Sequence, residues 1–278
     1  IHLMTMQPDS ELAGAFRYVP WIMKAPTIEE KHVVAQIVKD ELRHATVMYG
    51  LLADLGVDVE AHVRAHDEAF TMRVEDDADI GTARITADKR VNIFYYPIDT
   101  WADFVFFNFC MDRGAGHQLE DVRACSYGPW VRAIEGIFKE EKFHIRHGEF
   151  WVKRLAEDPK TRGEAQATLN KWYIRTMNIF GRPGSAKNVL YRKYRLKLRD
   201  NDEVRQTFAR EVAEKAGAVG LTLPEWIPQW DRLPEEAHTP GKPGATREPA
   251  PRAAAAAGPG SRGVARGRAG HAAGEGRA

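Results

Sequence analysis

Two short stretches carry side chains that could do chemistry together: Asp40-Glu41-Leu42-Arg43-His44 and Glu140-Glu141-Lys142-Phe143-His144. Each contains Glu-x-x-His, and a spacing of three puts both side chains on one helix face, about one turn apart. That face is apolar. Around the first pair the 3-4 pattern reads Val34, Ile37, Glu41, His44, Met48, Leu51. Around the second it reads Ile134, Ile137, Glu141, His144, Gly148, Trp151, Leu155. A bare carboxylate on a buried stripe costs several kcal/mol unless it is protonated, ion-paired or bound to a metal. One Glu-x-x-His is common on solvated helices. Two on apolar stripes point to a metal pair, with paired buried polar residues as the alternative. Carboxylate-rich ligation with only two histidines favours iron or manganese over zinc.

The elements that must position these groups follow from spacing. Adding one carboxylate from each of two further helices completes the ligand set of ferritin-like di-iron and di-manganese bundles. Glu11 precedes Glu41 by 30 residues and Asp112 precedes Glu141 by 29. Two antiparallel helices joined by a short turn need about that separation to bring both acids to one level. The predicted site is therefore Glu11, Glu41 and His44 for one metal, and Asp112, Glu141 and His144 for the other, with carboxylates bridging. Each assignment has a rival. Glu11 could cap or solvate its helix, Asp112 could pair with Arg113 or Arg43, and Glu120 could replace Asp112, although it stands only 21 residues before Glu141. Metal-bound histidines hand their second ring nitrogen to a carboxylate. This predicts Asp40 on His144 and Glu140 on His44. His117 and His147 fall off the stripes and are assigned to the surface. Gly114, Ala115 and Gly116 either open space beside Asp112 or permit close helix packing.

The fold predicted from these elements is all-α: a ferritin-like four-helix bundle of two helix pairs, a long crossover over about 56–100, and extra C-terminal helices. The first helix covers about 1–19, with Pro20 and Pro26 bracketing a turn. Thr27-Ile28-Glu29-Glu30 is a capping box opening a helix to Leu55, stopped by Gly56. Val59 to Met72 could be helical, and Asp76 to Asp79 read as a solvated loop. Thr100-Trp101-Ala102-Asp103 caps the next apolar helix, and Trp130 to Leu155 forms the second Glu-x-x-His helix. Helices are expected over 162–180, over Tyr191 to Arg199 as a basic helix, and from an Asn201 or Asp202 cap to Lys215. Residues 1–230 are read as one domain with a helical extension from about 161. From Pro240 onward the chain is mostly Ala, Gly, Pro and Arg without periodicity, and residues 231–278 are read as a low-complexity, disordered tail.

Composition excludes several classes. The formal net charge is +1 over 278 residues, and nothing in the folded part suggests nucleic-acid binding. No apolar run approaches the ~18 residues needed to span a membrane. Cys110 and Cys125 form neither a disulfide framework nor a Cys-x-x-Cys site, so a cytoplasmic setting is expected. The chain begins at Ile1 rather than Met, which reads as a fragment or a processed or mis-started frame.

The sequence also resembles a known family. Asp40 to His44 is similar to the Asp-Glu-x-Arg-His signature of bacterial multicomponent di-iron monooxygenases. Ser10-Glu11, Trp21 to Pro26, Tyr96-Pro97, Ser126-Tyr127-Gly128-Pro129, Lys139 to His144, Asn201 to Gln206 and Gly220 to Pro224 resemble the catalytic subunits of the phenylacetyl-CoA epoxidases, within the phenylacetic acid catabolic proteins. The resemblance covers about residues 9–225. It places the family's ligands on Glu11, Glu41, His44, Asp112, Glu141 and His144. It implies two iron ions and epoxidation of the aromatic ring of an aryl-acyl-CoA with O2. Electrons would come from NADPH through a separate flavin and iron–sulfur reductase. A homologous helical subunit without a competent metal site would complete a hetero-oligomer. Arg192, Lys193 and Arg195 are candidates for the CoA phosphates, against a solvated basic face. Benzoyl-CoA epoxidation is the near alternative. Iron storage or peroxide handling, and a non-catalytic scaffold role, are the distant ones. The chain departs from the family in its late start, in Pro8 close to Glu11, and in its low-complexity end.

Overall fold

Helix α1 (His2–Lys24) forms despite Pro8 and Pro20 in its interior. The sequence pattern ends this helix at 19, and the structure carries it through Pro20. Burial of Tyr18 and Trp21 on either side of the proline holds the last turns in place, so tertiary packing outweighs one lost backbone bond. The chain stops at Ala25–Pro26, where Lys31 Nζ takes the free carbonyls of Met23 and, at 2.8 Å, Ala25. Thr27 then caps α2 (Ile28–Asp54) by accepting from Glu30 N, and Gly56 leaves it with φ +82°. This computed structural model describes residues 1–81 and 89–230. All of these belong to the unit Ile1–Ala237. The predicted disordered tail, 231–278, lies outside them.

The crossover carries α3 (Val59–Thr71) and a 3-10 turn at Asn92–Tyr95. Thr100 and Asp103 form the reciprocal cap that starts α4 (Trp101–Phe107). Asp103 also accepts from Trp172 Nε1 at 2.9 Å and pairs with Lys171 at 2.6 Å, which ties α4 to α7 (Arg162–Met177). A π-helical segment, Asn108–Asp112, leads without a break into α5 (Arg113–Val122). A π turn inserts one residue per bulge and re-aims the side chains at its end, and such turns concentrate at functional sites. Pro129 sits in the first turn of α6 (Gly128–Glu157). The bundle pairs α1 with α2 and α4–α5 with α6, and α6 also packs on α2 and on α7. The architecture is all-α and ferritin-like. Among the described residues there is no strand, and no helix is long and apolar enough to cross a membrane.

Two C-terminal details differ from the sequence pattern. Helix α8 (Ala186–Lys193) ends well before Arg199, because Arg195 turns left-handed at φ +53° and the chain folds back. Helix α9 (Asn201–Ala218) is capped by Asp200, one residue earlier than predicted, with Glu203 completing the box. Both cysteines are free and buried.

Helix α9 is tied to α5 by charge. Arg113, fully buried, pairs with Glu149 and with Glu211 at 2.9 Å, and His117 meets Glu211 at 2.8 Å. The His117 hydrogen bond, aided by Arg113's charge, holds the Glu211 carboxyl down to about 2. A depressed carboxylate contributes stability that is complete above its unfolded value and fades as pH falls through the folded one. At this half-exposed position solvent screening holds the effect to about 1 kcal/mol. Glu211→Gln should therefore lower the melting temperature at neutral pH and flatten its decline between about pH 4.5 and 2, as read by circular dichroism.

Candidate metal centre

The site is a polar layer between two apolar clusters. Along α2, Val34 and Ile37 belong to one cluster and Ala45, Met48 and Leu52 to the other, with Glu41 and His44 between them. Along α6, Ile134 and Ile137 belong to one and Val152 and Ala156 to the other, with Glu141 and His144 between. Asp112 lies between Met111 and Leu119, and Glu11 beside the junction of Leu12 and Ala13. His44 and His144 are wholly inaccessible, and all four carboxylates are buried.

The distances define two histidine arms reaching into shared carboxylates. Ligand atoms of Glu11, Glu41, His44 and Glu141 all lie within 4.8 Å of one another. His44 Nδ1 stands 3.2 Å from Glu141 Oε1 and 3.5 Å from Glu11 Oε2. His144 Nδ1 stands 3.4 Å from Glu41 Oε1 and 3.8 Å from Glu141 Oε2. Glu141 thus presents one oxygen to each histidine. Behind the rings, His44 Nε2 meets Glu140 Oε2 at 2.7 Å, and Arg43 holds that carboxylate. His144 Nε2 faces Asp40 Oδ2 at 3.5 Å, and Gln36 donates to Asp40 at 2.6 Å. Asp112 is held separately: Asn108 Nδ2 donates to it at 2.9 Å and Tyr18 Oη at 3.4 Å.

Glu11, Glu41, His44 and Glu141 fit a bound cation. His44 Nδ1 and both ring nitrogens of His144 are buried without a hydrogen-bond partner, although carboxylate oxygens surround them. Burial would drive each imidazole neutral. The carboxylates of Glu11 and Glu141, close against the ring, overcome it and push His44 up to about 12. Asp40 and Glu41 do the same for His144, in the same direction. Burial, then the charge of Glu11, raises Glu41 well above the usual carboxylate range. Burial, then Glu141, raises Asp112 likewise. Burial also opposes ionisation of Glu11, but the His44 contact leaves it lowered. So much buried negative charge calls for positive charge, and protons on the imidazoles are what metal ions would displace.

Of the six predicted ligand positions, Glu11, Glu41, His44, Glu141 and His144 are brought against one another. Asp112 is the least engaged, joining the others through the wall of a shared cavity. Glu120 is exposed on α5, outside the site. Gly114 serves close packing, since a Cβ there would meet Thr176 Cγ2 at 2.9 Å, whereas Ala115 lines the cavity. Arg192, Lys193 and Arg195 are exposed, and none lines the cavity. One expectation is overturned. His147, assigned to the surface, is buried between Glu30 (2.8 Å) and Asn108 Oδ1 (3.1 Å), because α6 buries a second stripe against α4. His117 is half-buried on Glu211. Tyr18 and Asn108 were missed as site residues. Tyr18 stands seven residues after Glu11 and Asn108 four before Asp112, both helix-face spacings that pattern alone could have flagged.

Beside this cluster lies a cavity that opens to solvent. Glu11, Glu41, Asp112 and Glu141 form one part of its wall, and Phe94, Met111, Leu119, Val122 and Trp130 make much of the rest apolar.

The family model described as phenylacetic acid catabolic protein matches residues 1–242. The chain is 28% identical over 224 residues to one of the named subunits of the 1,2-phenylacetyl-CoA epoxidase of Escherichia coli (strain K12), covering 78% of this chain and 65% of that protein. It is 26% identical over 247 residues to benzoyl-CoA oxygenase component B of Aromatoleum evansii, covering 79% of this chain and 50% of that protein. The chain thus spans less than two thirds of the length of either relative. Matched by the family model along its whole described length, it belongs to the phenylacetic acid catabolic protein family.

Proposed function

We propose that this chain is the oxygen-activating subunit of an aryl-acyl-CoA ring epoxidase. One observation carries the reading: four buried carboxylates, Glu11, Glu41, Asp112 and Glu141, line a largely apolar cavity, and the two histidines of the Glu-x-x-His helices stand directly against Glu11, Glu41 and Glu141. Glu11, Glu41, His44, Asp112, Glu141 and His144 would hold two iron ions, which when bound supply the reduction of O2 that oxygen insertion into a ring requires. The chain's own residues do the rest. Glu141 spans the two histidine arms, and Tyr18 and Asn108 hold Asp112 by donating to it. Phe94, Met111 and Val122 give the aryl ring an apolar bed that excludes water. Electrons would come from NADPH through a separate flavin and iron–sulfur reductase. The partner would be a homologous helical subunit, and the setting the cytoplasm. Benzoyl-CoA is the neighbouring substrate, supported by the second relative's name.

The test is O2 uptake by the iron-loaded chain with its helical partner and reductase. Uptake should require both NADPH and an aryl-acyl-CoA. Oxidation of Fe(II) at full rate without reductase or thioester would instead make this an iron-handling protein. The carboxylates behind the histidines give a finer expectation. Glu140→Gln and Asp40→Ala should each weaken metal binding by about 10–100-fold in a chelator competition, because each sets the orientation and basicity of the ring in front of it.

A further inference from the structure

The cavity's wall holds a single cation among the described residues, Lys197, and the chain is folded to put it there. Residues 194–200 are neither helix nor open loop. Arg195 takes a left-handed backbone at φ +53°, which a residue with a Cβ adopts only when its surroundings enforce it. Three contacts enforce it. The Arg195 carbonyl accepts from Ser126 N at 2.8 Å. Asp121, buried on α5, accepts from Leu198 N and Arg199 N, each at 3.1 Å, and from Arg199 Nε at 3.0 Å. Arg199 in turn donates to the His117 carbonyl at 2.9 Å. The turn is thereby fastened to α5, and Lys197 faces the cavity while Arg192, Lys193 and Arg195 remain outside.

Of the other polar groups on the cavity wall, all but Gln118 are already engaged. Gln7 bonds Glu11 and Trp130, Ser10 bonds the Met6 carbonyl and Val91 N, and Tyr18 bonds Asp112. The carboxylates face the histidines. Lys197 has three N–H groups and one partner, Asn201 Oδ1 at 3.3 Å. Burial lowers its pKa while Asp121's charge supports the ammonium form. A half-buried ammonium with donors to spare on the wall of a largely apolar cavity is placed to donate to an oxygen of whatever enters it.

We propose that Lys197 is a substrate-binding residue that donates to a carbonyl oxygen of the acyl thioester and so sets the depth at which the acyl group enters the cavity. This rests on the aryl-acyl-CoA reading above. Lys197 shares its wall with the carboxylates of the candidate metal centre and with the apolar side chains that would bed the ring, so the group it meets is at the acyl end of the substrate, where the oxygen is a carbonyl rather than a phosphate. The exposed basic side chains of the same segment are left to the phosphates.

The experiment is equilibrium binding to the metal-free full chain, by calorimetry, of two ligands: phenylacetyl-CoA and phenylacetyl-N-acetylcysteamine, which keeps the thioester and lacks every phosphate. Lys197→Met should weaken both by about tenfold or more, the size of a lost charge-assisted hydrogen bond, and Lys197→Arg should restore most of the loss. Lys193→Met should leave the small thioester unaffected. Weakening confined to the CoA ester would assign Lys197 to phosphate and overturn the proposal. Equal binding by parent and Lys197→Met would also overturn it while leaving the substrate reading intact. A parent chain that binds neither thioester would count against the substrate reading itself, and with it this inference.

Discussion

Gly148→Ala should cost about 3 kcal/mol, lowering the melting temperature by roughly 6–12 °C, and should reduce metal uptake at the same time. Gly148 lies one turn beyond His144, where α6 meets the π-helical segment. A Cβ there would fall 2.5 Å from Phe109 N and 2.9 Å from Asn108 C and Phe109 Cα. These are backbone atoms, so no rotamer change relieves the clash. The helices must separate or the π turn must shift, and that turn aims Asp112 and Asn108. Gly136, on the same helix, is the control. A Cβ there meets nothing within 4 Å, so Gly136→Ala should raise stability by up to about 1 kcal/mol through helix propensity alone. Scanning calorimetry on the two variants, with metal content of each, separates close packing from a general effect of glycine replacement. Equal stability of both variants would show that the contact between α6 and the π segment does not constrain the site.

Asp112→Asn should do the opposite to stability and far more to activity. Burial, and then the charge of Glu141, make ionised Asp112 unfavourable in the metal-free chain. A carboxyl whose folded pKa is raised binds its proton more tightly in the native state. Its contribution is complete below the unfolded value and is lost as pH rises toward the folded one. At neutral pH the ionised group therefore opposes folding, and an amide of the same shape removes that opposition. The amide keeps an oxygen for Asn108 and Tyr18 to donate to. The metal-free variant should melt at or above the parent's temperature. Thioester-dependent O2 uptake should fall by at least about 10²-fold, because one anionic ligand is gone. A variant that loses activity only by unfolding would refute this assignment of Asp112.

The parts of the site that the sequence made legible are those on an uninterrupted helix. Glu41, His44, Glu141 and His144 stand on stripes whose apolar neighbours announce burial, and Glu11 and Asp112 follow from the length of an antiparallel pair. Other parts had no such signal. Phe104 to Met111 is apolar at every position but Asn108, so a π turn within it leaves little mark on the pattern. His147 was misplaced because α6 buries more than one stripe, packing on α2, α4 and α7 together. Pro20 looked like an end, and only the burial of its neighbours shows why it is not. The left-handed Arg195 ends a helix that periodicity would extend to Arg199, and with it the position of Lys197 was hidden. In each case the deciding contact is between residues far apart in the chain.

The central claim is that this chain holds a pair of metal ions, and the most direct test is iron per chain after anaerobic loading with Fe(II) and removal of excess. The chain should retain about two irons, and a Glu41→Ala/His144→Ala variant, which removes one proposed ligand of each metal, should retain close to none. A folded parent that retains no iron, or a variant that retains as much as the parent, would contradict the account.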